Sequence, residues 1–229
     1  MGIKERQERD RETVRRAILD AARELFDIEG YQNVSIRKIA ERIEYSPAAI
    51  YGYFPSKDDI FFALAEEGFR LLGGGLENRA DADTERAVAP LERVRTMVWR
   101  LYEFSREHPQ YFALMFVDRS VPRISREYEG FAFVRNMKAS LISQIEECIR
   151  VGVFPSTVQA VVACRLLMMG LVGVAVTRLS NRLVATENAD DLAADVLNVM
   201  LAGLQSGVVL GSKIVECPLD EKVVNRQAS

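Results

Sequence analysis

Apolar residues recur on one helical face through almost the whole chain, and that spacing excludes most folds at the outset. Between positions 13 and 28 they stand at Val14, Ile18, Ala21, Ala22, Leu25 and Phe26, three and four residues apart. A helical turn stacks such positions on one side. Gly30 follows, the residue that ends a helix without a Cβ clash. The same spacing predicts helices over 57–72, 84–105, 109–117, 130–151, 156–183 and 189–205. No stretch alternates apolar and polar residues as a half-buried strand does, and there is no internal repeat or low-complexity tract. The expected fold is therefore all-α. Gly73 to Gly75 and the polar ENRADADTE after them predict a loop. The final GVVLGSKIVECPLDEKVVNRQAS, punctuated by Gly207, Gly211 and Pro218, predicts no clear element.

A chain of 229 residues can bury a sizeable core in one or two domains. Its three cysteines, Cys148, Cys164 and Cys217, are odd in number and far apart. They fit neither a zinc spacing nor a disulfide framework, and they point to a reducing compartment. The opening MGIKERQERDRETVRR is charged throughout, without the apolar stretch of a signal peptide. The apolar run LLMMGLVGVAVT, bounded by Arg165 and Arg178, is shorter than the roughly 20 residues a membrane span needs. It reads as a buried helix or an interface. Together these features predict a cytoplasmic protein with no membrane association.

The segment from Ser35 to Ile60, SIRKIAERIEYSPAAIYGYFPSKDDI, is the most informative. Ser35 can cap a helix over 36–43, because its hydroxyl accepts from the unpaired amides of the first turn. Ile36, Ile39, Ala40 and Ile43 form its inner face, with Arg37, Lys38, Glu41 and Arg42 outside. Glu44 and Tyr45 break it. Ser46 and Pro47 restart the chain as N-cap and first helical residue, where the missing proline amide is harmless. This second helix is expected over 47–54, before Pro55. Ser56 and Asp59 then have capping-box spacing at the start of a third. Two short helices joined by a tight turn, the second opening on small residues, are the layout of a DNA-reading helix-turn-helix.

The first sixty or so residues resemble the TetR (tetracycline repressor-like) transcriptional regulators. The likeness lies in FDIEGYQNVSI, IRKIAERI and SPAAIYGYFPSKDDIF, above all in Tyr-x-Tyr-Phe-x-x-Lys after a helix-turn-helix. It covers about a quarter of the chain. The resemblance implies that Ser35 and Arg37 touch the DNA backbone, with Arg37 in reach of a base. It implies that Ser46, Pro47, Ala48 and Ala49 face the major groove. Tyr51 and Tyr53 would bind phosphates, Lys57 would anchor the backbone, and Ile39, Ile43, Ile50 and Phe54 would be core. It further implies a helix-turn-helix domain over 1–56 and a helical ligand-binding and dimerisation domain over 57–207, with a tail over 208–229. One departure stands out. The family commonly has glycine in the turn where this chain has Glu44, and glutamate adopts positive φ only at a cost or imposes another turn.

Charge qualifies this picture. Residues 1–60 carry eleven lysines and arginines against twelve aspartates and glutamates, so no net basic footprint exists. A local stripe from Arg9, Arg11, Arg15, Arg16, Arg37 and Lys57 is the alternative to a merely solvated amino-terminal arm. The reading helix itself has little to read with. Pro47, Ala48 and Ala49 can meet thymine methyls but make no paired hydrogen bonds to bases. Sequence choice would then lean on methyl contacts, Arg37 and DNA shape, with phosphate contacts fixing register. Tyr51 and Tyr53, two apart on one helix, cannot share a buried face, so at least one is exposed.

Further along, Leu166 to Val176 is apolar around most of the helix, with Gly170, Gly173 and Ala175 small enough for close helix approach. Leu192, Val196, Val199, Met200 and Leu204 repeat on the next helix. In the TetR family the last two long helices pair with their copies, which implies a homodimer here. Such a dimer would offer two reading helices to a near-palindromic double-stranded operator, with half-sites ~34–36 Å or more apart. Tyr102, Phe112, Met115, Phe116, Met137, Leu141, Cys164 and Met168 are candidate linings of an effector pocket, though side chains of these kinds are more often plain core. Their uncharged character suggests a small hydrophobic or aromatic effector acting by population shift. Trp99 reads as an edge residue and His108, before Pro109, as a helix-start residue. No base and nucleophile pair, metal cluster or Gly-rich phosphate loop suggests an enzyme, a metal or a cofactor. The expected function is a ligand-released repressor. The alternative is a helical small-molecule binding module that does not touch DNA.

Overall fold

The computed structural model describes residues 2–77, 88–122 and 132–212. Among them are nine α-helices and no strand. They are α1 (Ile3–Glu29), α2 (Ile36–Arg42), α3 (Pro47–Tyr51), α4 (Lys57–Glu77), α5 (Pro90–Glu107), α6 (Pro109–Phe116), α7 (Ala132–Arg150), α8 (Ala160–Leu179) and α9 (Ala189–Gln205). A single 3-10 turn, Tyr31–Asn33, joins α1 to α2.

α1 packs on α2, α4 and α6, and α2 on α3, around Ile18, Ala22, Phe26, Ile39, Ile50 and Phe54. α5 is the axis of the remainder, touching α4, α6, α7, α8 and α9. Its buried Val94, Val98, Leu101 and Phe104 follow helical spacing, so one stripe serves several neighbours. α8 is long and apolar enough to cross a membrane by length and composition. It packs here against α5, α6, α7 and α9, with Ala163, Cys164, Leu167, Leu171, Val174 and Ala175 buried.

Several boundaries differ from the sequence expectation, each for a physical reason. α1 begins at Ile3, well before position 13, because its first turns are exposed and polar and leave no apolar period to read. Arginine, glutamate and glutamine are nonetheless strong helix formers. Gly73, Gly74 and Gly75 lie inside α4 rather than in a loop. Glycine costs about 1 kcal/mol in a helix interior but, unlike proline, keeps the amide that continues the ladder. α3 stops at Tyr51, short of the expected 54, and Tyr53 and Phe54 follow in a turn. α8 starts at Ala160, after a turn that buries Val158, and ends at Leu179. The expected helix start at Thr84 lies outside the described residues, and α5 is seen from Pro90, a proline in its first turn.

Candidate nucleic-acid interface and effector cavity

The local chemistry of the α2–α3 pair follows its sequence. Ser35 Oγ accepts from the Lys38 amide at 3.2 Å, and Ser46 Oγ from the Ala49 amide at 3.2 Å. Each serine satisfies one orphan donor of the helix it opens. Between them Glu44 stands at φ 59°, in the left-handed region that a glycine would enter freely. The Tyr45 amide reaches back to the Ala40 carbonyl at 2.9 Å, closing the turn. Ile39 and Ile50 are fully buried beneath it, and Ile43 is half-buried. Ser56 differs from a true capping box. Its hydroxyl accepts from the Asp59 amide at 3.2 Å and donates to the Asp59 carboxylate at 2.7 Å, so the carboxylate serves the hydroxyl.

This frame leaves one face open. Ser35, Arg37, Ser46, Pro47 and Ala48 are exposed, Ala49 is half-buried, and Tyr51 is 55% exposed. Tyr53 is half-buried beneath the Arg11 guanidinium, 5.8 Å from its ring, and Arg15 lies 5.3 Å over Phe54. Those two stacks set basic residues of α1 beside the end of α3, a link that no local sequence pattern announces. Arg16 instead serves structure, bridging Asp20 at 2.7 Å and Glu67 at 2.6 Å.

Lys57 is committed inward. Its ammonium donates to the Tyr31 and Val34 carbonyls at 2.8 and 2.9 Å and sits 4.1 Å over the Tyr31 ring. An ammonium has three donors, so one remains. Tyr31 is buried, and its hydroxyl donates to Asp58; burial, with that carboxylate, pushes the phenol pKa upward. The cations on the outside of α2 each face a carboxylate: Arg37 with Glu41, Lys38 with Glu29, Arg42 with Glu24. Arg37 is still 80% exposed, and its pair with Glu41 is solvated.

α6 ties this unit to the body. Arg23 of α1 donates to Gln110 Oε1 at 3.1 Å and to the Tyr111 hydroxyl at 3.0 Å, and lies 5.3 Å over the Tyr111 ring. Gln110 in turn donates to Asp27 at 3.2 Å. Beyond the helix end, Asp118 accepts from the Tyr31 amide at 3.2 Å and from the Ser120 amide at 2.8 Å. Burial pushes the Asp118 carboxyl up, but the hydrogen bonds from Ser120 and Tyr31 outweigh it and hold the group below the ordinary carboxylate range.

A cavity of about 360 Å³ opens between α4, α5, α7 and α8. Of the eight candidate lining residues, Met137, Leu141, Cys164 and Met168 come together there. The other four do not line it. Tyr102 is fully buried and donates to Asp190 at 2.7 Å, with burial and that carboxylate pushing its pKa up to about 12. Phe112 is sealed in a cluster with Phe104 and Phe116, Phe116 also meets Phe69, and Met115 packs on Gly68. Aromatic side chains here fill core rather than a void. Nor is the lining uncharged, as the sequence suggested, because Arg100, Lys138 and Arg165 belong to it. Long basic side chains lie along apolar walls and carry their heads to the rim, so a search among apolar positions passes over them. Trp99 lines a separate groove with Arg95, Glu103 and Asn198, at an edge as expected. His108 stands at the start of α6, its ring 5.5 Å from Phe104.

Residues 18–64 match the family model of bacterial regulatory proteins, tetR family. Over 53 residues the chain is 45% identical to an HTH-type transcriptional repressor of Mycobacterium tuberculosis. That stretch is 23% of this chain and 28% of the relative, so the chain spans less than a third of that protein's length. The fold extends the likeness. The tetR-family regulator PfmR of Thermus thermophilus superposes with a TM-score of 0.63 at 22% identity, over 82% of this chain and 98% of that one. The regulator FadR of Bacillus subtilis, in complex with stearoyl-CoA, gives 0.63 at 18% identity, over 82% and 97%. The helix-turn-helix segment over residues 18–64 is therefore that of the tetR family of bacterial regulatory proteins, and the described helices share the fold of a solved regulator of that family.

Proposed function

We propose that this protein is a ligand-responsive transcriptional regulator, a repressor that binds a near-palindromic operator as a homodimer in the cytoplasm. A small effector with a hydrophobic or aromatic body releases it. The observation that carries the reading is the open face of Ser46, Pro47, Ala48 and Tyr51, held on buried Ile39 and Ile50 within the segment that matches the family model. In this reading residues 1–56 form the DNA-binding domain, 57–207 the effector and dimerisation domain, and 208–229 a tail. Ser35, Arg37, Tyr51, Tyr53 and the remaining donor of Lys57 grip phosphates. Ser46, Pro47, Ala48 and Ala49 meet the major groove. Met137, Leu141, Cys164 and Met168 line the effector site, and Tyr102, Phe112, Met115 and Phe116 support it from the core.

The experiment is a salt series of mobility shifts on duplex DNA from the protein's own promoter region. Binding that weakens steeply with salt is expected. Arg37→Ala should lower affinity, reduce the salt slope by about one and blur operator preference. An intact dimer indifferent to DNA from low to moderate salt would overturn the proposal. A second reading, a helical binding module that leaves DNA alone, draws on the carboxylate facing each outer cation of α2. The same series decides between them.

A further inference from the structure

The cavity between α4, α5, α7 and α8 has an apolar interior and a basic rim. Leu101 and Cys164 are buried in its wall, whereas Lys138 and Arg165 are exposed at its edge. No carboxylate lines it among the described residues. Arg100 also lines it, and only part of its guanidinium is satisfied. Its Nη1 meets Glu107 at 2.9 Å and Glu103 at 3.5 Å, while its Nε is buried without a hydrogen-bond partner among the described residues. Lys138 and Arg165 have no ion pair or hydrogen bond among the described residues. The Cys164 thiol, pushed up by burial, is pulled the other way by the Lys138 ammonium, so the field of that cation reaches the buried wall.

Three cations around one apolar void repel one another, and a buried guanidinium nitrogen without an acceptor is costly. A neutral acceptor could satisfy the Arg100 nitrogen but leaves the repulsion, a cationic group would add to it, and an anion relieves both. We infer that the effector is an amphipathic anion: an apolar body filling the cavity, with a carboxylate or phosphate held by Arg100, Lys138 and Arg165. The inference rests on the regulatory reading above and names the chemistry of its effector. At about 360 Å³ the cavity sits toward the small end of the ~300–1,000 Å³ usual for ligand sites, which suits one short chain or ring system. Arginine favours planar two-point contact with an anion, and lysine adds a mobile point charge.

Calorimetric titration of the full-length protein with decanoate, decyl phosphate, decan-1-ol and decyltrimethylammonium tests it. Decanoate or decyl phosphate should bind about tenfold or more tightly than decan-1-ol, and the ammonium probe least. Which of the two anions binds better tells a carboxylate-bearing from a phosphate-bearing ligand. The double variant Lys138→Met/Arg165→Met, which removes both charges at exposed positions and keeps an unbranched apolar stem at each, should lose most of that preference. Equal binding of decan-1-ol and the anions, an unchanged preference in the double variant, or binding of none of the four overturns the inference. Mobility shifts run alongside keep the two claims apart. An anion preference without DNA binding sinks the regulatory reading alone, and intact DNA binding without the preference sinks this one alone.

Discussion

Glu44 shows how a single residue can be wrong for its place and still be tolerated. Left-handed backbone costs an ordinary residue roughly 1–2 kcal/mol, and Glu44 sits there at φ 59°. Ile39, Ile50 and the Tyr45–Ala40 hydrogen bond determine the turn around it, so the strain is held by its surroundings. Glu44→Gly should therefore stabilise the protein by about 0.5–1 kcal/mol, the relieved strain being partly offset by the greater freedom of glycine in the unfolded chain. A higher urea midpoint at unchanged slope is the measurement, and a lower midpoint would contradict the assignment of strain to this turn. At this scale the sequence was most legible where the chemistry is local. The caps at Ser35 and Ser46, the first-turn Pro47 and the anomaly at Glu44 all depend on neighbours within a few positions. Lys57 was not legible in that way. Whether its ammonium faces phosphate or the Tyr31 and Val34 carbonyls depends on how α1 meets α4, which no local pattern encodes.

At the scale of elements, periodicity foretold helices that bury a stripe and was silent about those that do not. α9 spans 189–205 as expected, but of the residues whose spacing pointed to it only Leu204 is buried; the buried stripe is Ala193, Leu197, Leu201 and Leu204, and Val199 is left in solvent. From Lys4 to Thr13 α1 buries nothing, and that stretch was unreadable on that account. The contacts between elements were equally hidden. Arg23 reads as one more cation on a charged helix, yet it is the hub between α1 and α6. Its side chain is only 21% exposed. Arg23→Met keeps the stem packed but removes two hydrogen bonds and the stack on Tyr111. The expected loss is about 1–2 kcal/mol, reduced from the full worth of charged hydrogen bonds because the site is partly wet. Chemical denaturation gives the number, and Tyr111→Phe should cost less in the Arg23→Met background than in the unaltered protein, since the two residues share a hydrogen bond.

At the scale of the molecule, part of the exposed apolar surface gathers on the adjacent helices α8 and α9. On α8, Leu166, Met169 and Gly173 follow one helical face, and Met169 is 54% exposed. On α9, Val199 is 71% exposed, with Val196 half-buried one turn before it and Gly203 half-buried one turn after. Gly170 lets the two helices approach, since a Cβ there would lie 2.4 Å from the Met200 methyl. The result is one apolar strip across adjacent helices, of the kind that pairs with its own copy about a two-fold axis. In the proposed dimer that axis also sets the distance between the two reading helices, so pairing and operator recognition stand or fall together. Val199→Arg should leave the isolated fold within about 0.5 kcal/mol, because the side chain is already in solvent. It places two guanidinium groups near the axis of the dimer, where they would be desolvated and face each other. Light scattering should then report a monomer for the variant and a dimer for the unaltered protein, with the same helical circular dichroism spectrum for both. Operator affinity should fall on the order of 10²–10⁴-fold, because each half-site must now bind alone. A variant that stays dimeric and keeps its operator affinity would move the pairing face elsewhere on the molecule.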